Sequence, residues 1–181
     1  DVTGQGESEW YFAETNFTSR VLDLISACAS LRRDYAPPRL LVGHSISGTA
    51  ALSAARALPY LQAVATIGSP HDPASIIEKF KRQNLIADKG NGMIEINVLG
   101  QRVTFRKTFI DDMLTHNVGL DTEKLDKKLF IFHAPHDSIV SFSEARLIYD
   151  RATCDRELVP LDEAATHLFE NRKDDAAFVA E

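Results

Sequence analysis

Cysteine is nearly absent: Cys28 and Cys154 are the only two in 181 residues. Neither stands in a CxxC pair or a Cys/His zinc spacing, so a disulfide framework is excluded and both read as buried or half-buried thiols. The sequence has no apolar run near the ~18 residues of a membrane span, no internal repeat and no low-complexity tract. Positive charge is in the minority, with 20 Lys+Arg against 26 Asp+Glu and a formal net charge of −6. That argues against a broad nucleic-acid surface. An initiator Met is missing as well. The chain opens Asp1-Val2-Thr3-Gly4 and reaches a glycine-rich turn at once, as expected of a chain joined in mid-fold. Any signal peptide would then lie upstream, and its absence says nothing about location.

What is there is a folding composition, 44% hydrophobic and 25% charged, at a length suited to one domain with a small embedded insertion. Phe17, Val21, Leu24, Ile25, Cys28 and Leu31 recur at steps of three and four, which predicts an amphipathic helix. Thr15 or Asn16 would cap it and Pro37-Pro38 forbids its continuation. Leu40-Leu41-Val42 reads as a strand buried on both faces. An alanine-rich helix follows from Ile46 to about Leu58, then a second buried strand, Ala63–Ile67, ended by Gly68-Ser69-Pro70. Leu129–Phe132 is a third strand, followed by a helix near Ser143–Ala152. Arg156–Val159 is a fourth, stopped by Pro160, and a last helix is expected from Asp174. Buried strands separated by helices predict an α/β fold with a parallel sheet flanked by helices.

Residues 72–128 break that rhythm. Ile94-Glu95-Ile96-Asn97-Val98 alternates, turns at Leu99-Gly100-Gln101-Arg102 and resumes as Val103-Thr104-Phe105, a hairpin signal. Phe109, Ile110, Met113 and Leu114 suggest a short helix. An excursion of this length between two core strands reads as an insertion and a candidate lid. Phe80, Ile94, Phe105 and Phe109 would make part of it apolar. Lys79, Lys81 and Arg82 read as a solvated helix face.

The strongest chemical signal is Leu40-Leu41-Val42-Gly43-His44-Ser45-Ile46-Ser47-Gly48. A buried strand runs through small residues, with a serine at the apex, straight into a helix. This is the context of a nucleophile elbow, in which a tight turn lifts a serine hydroxyl above the sheet edge. The helix start aims free amides and the positive dipole end at the same spot, where an oxyanion would form. A hydroxyl needs a base, and the base an orienting acid. Asp137 follows the third strand in His133-Ala134-Pro135-His136-Asp137, and His167 follows the fourth in Ala164-Ala165-Thr166-His167. Both lie past the carboxyl ends of successive strands, where open α/β sheets build sites, and the order Ser45, Asp137, His167 suits this architecture. Plainer roles stay open. Asp137 could cap a turn, His167 could cap a helix, and Asp162 is a rival acid. His44 reads as a packing or hydrogen-bonding residue rather than a base. His133, His136 and Asp137 resemble metal-ligand spacing, but no further ligand stands out, and no metal is expected. His71 and His116 have no partner visible in the sequence.

On these residues the chain resembles an α/β-hydrolase, and within that superfamily the hydrolase half of the bacterial α/β-hydrolase–OsmC fusion proteins. The likeness runs through Asp1–Ser8, Phe12–Phe17, Val42–Ser45, Val64–Pro73, the hairpin region, His133–Val140, Leu161-Asp162 and His167-Leu168. It implies a single core over residues 1–181 with an insertion at 72–128. It also implies Ser45 as nucleophile, Asp137 as acid, His167 as base and the Ile46 amide as an oxyanion donor. The implied activity is hydrolysis of a carboxylic ester or thioester through an acyl-enzyme, without metal or organic cofactor. The implied partners are a small acyl substrate and a covalently fused OsmC-like domain, with no nucleic acid or membrane. The implied location is cytoplasmic. A non-catalytic scaffold or ligand-binding module of the same fold is the competing reading, as is a fragment inert as it stands.

Three departures accompany the likeness. Ser47 replaces the glycine usual two residues after the nucleophile, which adds steric load to a tight turn. Thr166 stands where an acidic residue usually precedes the histidine. The family's early strands, and the loop that gives the second oxyanion donor, would lie before residue 1. Losing that donor would cost about 3–4 kcal/mol of transition-state stabilisation. Leu40–Val42 would then be an exposed apolar edge.

Overall fold

The computed structural model describes residues 2–4, 6–98, 100–169, 177 and 179. Helix α1 spans Phe17–Asp34 and starts at Asn16, whose side chain accepts from the Ser19 amide while the Ser19 hydroxyl accepts from the Asn16 amide. This reciprocal cap satisfies two amides that a helix start otherwise leaves unpaired. The four core strands are β1 (Leu40–His44), β2 (Ala63–Ile67), β6 (Lys128–His133) and β7 (Arg156–Pro160), in the spatial order β1-β2-β6-β7, all parallel. Helices α2 (Ile46–Ala55) and α6 (Phe142–Arg151) pack on them, bridged by α5 (Val118–Glu123). Val64, Leu129 and Ile131 are wholly buried beneath these helices.

Two expectations are corrected in this sheet. The sequence reads β1 as buried on both faces, yet Leu40 and Val42 are 48% and 58% exposed. Alternate residues of a strand point to opposite faces; Gly43 faces the core, and among the described residues β1 has a strand neighbour on one side only. Helix α2 also stops at Ala55, short of Leu58. There the chain turns, with the Leu58 amide donating to the Ala55 carbonyl, and both residues are buried. The helix expected from Asp174 falls, apart from Ala177 and Val179, outside the described residues.

Between β2 and β6 the chain makes α3 (Pro73–Arg82), three antiparallel strands β3 (Ile86–Gly90), β4 (Met93–Val98) and β5 (Gln101–Arg106), and helices α4 (Lys107–Met113) and α5. The hairpin and α4 match the sequence reading; β3 and α5 carry too little periodicity to have been seen. Helix α3 has Pro73 at its first position and Asp72 as cap, accepting from the Ala74 amide, a pre-organised start. Across the hairpin Ile94 faces Phe105 and Ile96 faces Val103. Paired apolar side chains on one face let the small sheet pack onto the core. Polar ties hold it there: Arg106 to Glu14, and Asp112 to both the amide and the hydroxyl of Thr18 at 2.9 and 2.6 Å. Asp112 thus places a carboxylate at the α1 N-terminus, where the helix dipole favours one.

Candidate active site

The parallel ladder continues one step past each strand. Ser45 donates its amide to the Ile67 carbonyl (2.8 Å), Gly68 to Phe132 (2.9 Å) and Leu161 to His133 (2.9 Å). These bonds hold the carboxyl ends of β1, β2, β6 and β7 in one row, and the site is built along that row.

Ser45 sits at the apex of the β1–α2 turn with φ 54° and ψ −133°, a left-handed conformation costly for a residue with a Cβ. Close approach of strand and helix explains why the turn tolerates it. A Cβ on Gly43 would lie 2.5 Å from the Gly48 Cα, and one on Gly48 would lie 2.0 Å from the Ser69 hydroxyl. The glycine requirement therefore falls on residues 43 and 48. Ser47 escapes it, and its hydroxyl accepts from the buried Arg20 guanidinium at 3.1 Å. The steric load expected of Ser47 is thereby removed from the crowded point. Ile46 is the first residue of α2, so its amide has no intrahelical acceptor.

Three residues far apart in the chain meet here. His167 Nε2 lies 3.1 Å from Ser45 Oγ, and His167 Nδ1 lies 2.6 Å from Asp137 Oδ2. Nδ1 must carry the proton to donate to that carboxylate, which leaves the Nε2 lone pair for the serine hydroxyl. The second Asp137 oxygen accepts from the amides of Ile139 and Val140 at 2.8 and 2.9 Å. Burial alone would raise the Asp137 pKa, but the bond and charge of His167 and the two amides outweigh it and hold the carboxyl below its ordinary value. Asp162, the rival acid, is exposed and accepts from the Ala164 amide within its own turn. Gly68 makes room for the pair. Its φ is +54°, and a Cβ there would stand 3.3 Å from both Asp137 Oδ2 and His167 Nδ1.

Four of the other histidines are held by hydrogen bonds of their own. His44 donates Nε2–H to the His167 backbone carbonyl at 2.7 Å, its ring 4.8 Å from the His167 ring; burial, more than anything else around it, lowers its pKa. His133 is fully buried and donates Nε2–H to the Val140 carbonyl at 2.8 Å, and burial lowers its pKa too. His71 bonds Glu144, and His116 bonds the Thr18 hydroxyl. Among the described residues no group of three His, Cys, Asp or Glu is arranged to hold a metal ion.

Lys79 corrects another expectation. It is not on a solvated face: its Nζ donates to the Ser138 and Ile139 carbonyls at 2.8 and 2.6 Å. It therefore pins the loop that carries Asp137, a role hidden in sequence because its partners are backbone atoms 59 and 60 residues away. Beside Ser45 opens a cavity of about 350 Å³ that reaches from His167 and Ile46 into the space under the antiparallel sheet and α4.

A parallel sheet with a strained serine between strand and helix, and an Asp–His pair at the neighbouring strand ends, defines the α/β-hydrolase class. No protein-family model matches the chain, and no curated protein does. Solved structures match it well. The esterase domain of a Rhodothermus marinus protein is 35% identical with a TM-score of 0.74, the match covering 94% of this chain and 67% of that one. The chain belongs to the α/β-hydrolase family. At lower identity the fold is shared with Est1E of Butyrivibrio proteoclasticus, solved with ferulic acid bound (18% identity, TM-score 0.72, 99% of this chain and 74% of that one). It is shared also with mouse α/β-hydrolase domain-containing protein 10 (21%, 0.72, 99% and 73%).

Proposed function

We propose that the protein is a serine hydrolase that cleaves a carboxylic ester or thioester through an acyl-enzyme. The observation that carries this reading is the unbroken hydrogen-bond line from Ser45 through His167 to Asp137. Ser45 Oγ attacks the acyl carbon while its proton passes to His167 Nε2. The carbonyl oxygen takes up negative charge facing the amide of Ile46 at the positive end of α2. Collapse expels the alkoxide or thiolate, which receives the proton from Nε2. Water then enters, gives a proton to Nε2, and its hydroxide attacks the acyl carbon; Ser45 leaves with that proton and the carboxylic acid departs. Asp137 stays ionised throughout, holding the tautomer that exposes Nε2 and stabilising the imidazolium.

The test is a fluorophosphonate probe, which reacts with activated serines. Wild type is expected to label and Ser45→Ala to remain unlabelled; labelling that survives the substitution removes Ser45 from the role. The finer kinship with bacterial OsmC fusion proteins, with its cytoplasmic location and fused peroxide-reducing domain, rests on the sequence likeness. An OsmC-like reading frame after residue 181 would check it.

A further inference from the structure

We propose that the cavity beside Ser45 is the acyl-chain site, and that it selects an uncharged aliphatic or aryl acyl group of roughly ten non-hydrogen atoms at most. This rests on the serine-hydrolase reading and adds the substrate class to it. The wall away from the nucleophile is made by Phe80 of α3, Ile96, Val103 and Phe105 of the antiparallel sheet, and Phe109 and Met113 of α4. Phe105 and Phe109 stack with centroids 4.4 Å apart, and Met113 is 2% exposed. These side chains belong to the main core, so the cavity is preformed rather than made by closure.

Charge and size set the selection. Among the described residues, the only ionisable side chains lining the cavity are His44 and His167, and both are committed, one to a backbone carbonyl and the other to Asp137 and Ser45. A carboxylate or ammonium on the acyl group would enter without a counter-charge, which an apolar site does not tolerate. Taking the ~30 Å³ that one water fills in the liquid as the space for one non-hydrogen atom, about 350 Å³ holds on the order of ten atoms. The site suits the acyl side of the ester because its wall is packed into the main core. A leaving group must escape before water attacks, whereas the acyl group stays covalently held through both steps.

Two series on the full chain test this: p-nitrophenyl esters from acetyl to palmitoyl with a succinyl hemiester added, and alkylboronic acids as inhibitors. Each buried methylene is worth about fourfold, so kcat/KM is expected to rise at least a hundredfold from acetyl to octanoyl and to fall beyond about ten carbons. Boronic acid affinity is expected to follow the same order, and the succinyl ester to be at least a hundredfold poorer than butyryl. Val103→Trp narrows the cavity from its half-buried wall and is expected to cut octanoyl turnover at least thirtyfold more than acetyl; Ile76→Trp does the same from α3 if the first variant misfolds. Hydrolysis that needs Ser45 but is flat along the acyl series, accepts the succinyl ester, or follows alcohol length instead overturns the acyl-site assignment while leaving the nucleophile standing. Failure of both labelling and hydrolysis overturns both.

Discussion

Replacing Asp137 by Asn isolates what the carboxylate does. The oxygen that accepts from the Ile139 and Val140 amides has a counterpart in the Asn carbonyl, so the loop keeps its local bonds. The other oxygen, 2.6 Å from His167 Nδ1, becomes an amide NH2 that can only donate. His167 must then move its proton to Nε2, pointing an N–H at Ser45 where a lone pair is needed. A wrong tautomer of this kind costs on the order of 10⁴ in kcat, about 5–6 kcal/mol. The stability loss is smaller, about 1–3 kcal/mol for one altered buried hydrogen bond. It also has a defined pH dependence. The folded pKa of Asp137 is depressed, so its contribution is full above the unfolded value of about 3.9 and disappears as pH falls through the lower folded value. The Tm gap between wild type and Asp137→Asn is therefore expected at neutral pH and should close below about pH 4. Steady-state kinetics and thermal melts across pH measure both. If Asp137→Asn keeps activity within about tenfold, a loss too small for a wrong tautomer, or if Asp162→Asn loses more, the acid has been assigned to the wrong residue.

Two further changes probe the frame around the site. Gly68→Ala forces a side chain into a left-handed backbone at about 1–2 kcal/mol and presses on both Asp137 and His167; a lower Tm and a roughly tenfold drop in kcat/KM are expected from the misalignment, and unchanged kinetics would mean that the pair has slack. His44→Phe keeps the ring but strips the donor from the His167 carbonyl. It is expected to lower kcat about tenfold, with partial recovery in His44→Gln, which restores a donor; an effect confined to KM would mean that His44 serves only as cavity wall and does not position His167.

The local part of this architecture was legible and the long-range part was not. The ends of strand β2 are marked in the sequence because Ala63–Ile67 is a short apolar run with glycine after it, and the serine turn is marked because strand, small residues and helix are consecutive. Helix α2 overran because Ala57 and Leu58 favour a helix; their burial in a turn is set by tertiary packing. Strand β3, Ile86–Gly90, has one half-buried apolar residue at Ile86 and mostly exposed positions after it, so no alternation marks it. Partnerships such as Thr18 with Asp112, 94 residues apart, or His71 with Glu144, 73 apart, leave no local trace. Motif order and strand ends put Asp137 and His167, which meet in the structure, on a short list of candidates, whereas nothing comparable points from Lys79 to the Asp137 loop.

The Ser45 hydroxyl and the His167 ring are separated by 122 residues and brought together by a row of parallel strands. Non-local pairing of that kind is slow to form. A chain folding from its amino end makes the serine turn early, but its hydroxyl meets no base until β7 has joined β6. Partly folded chains should thus be chemically silent, and the rate at which Ser45 becomes reactive during refolding should report completion of the sheet, giving an intrinsic clock for the final step of assembly.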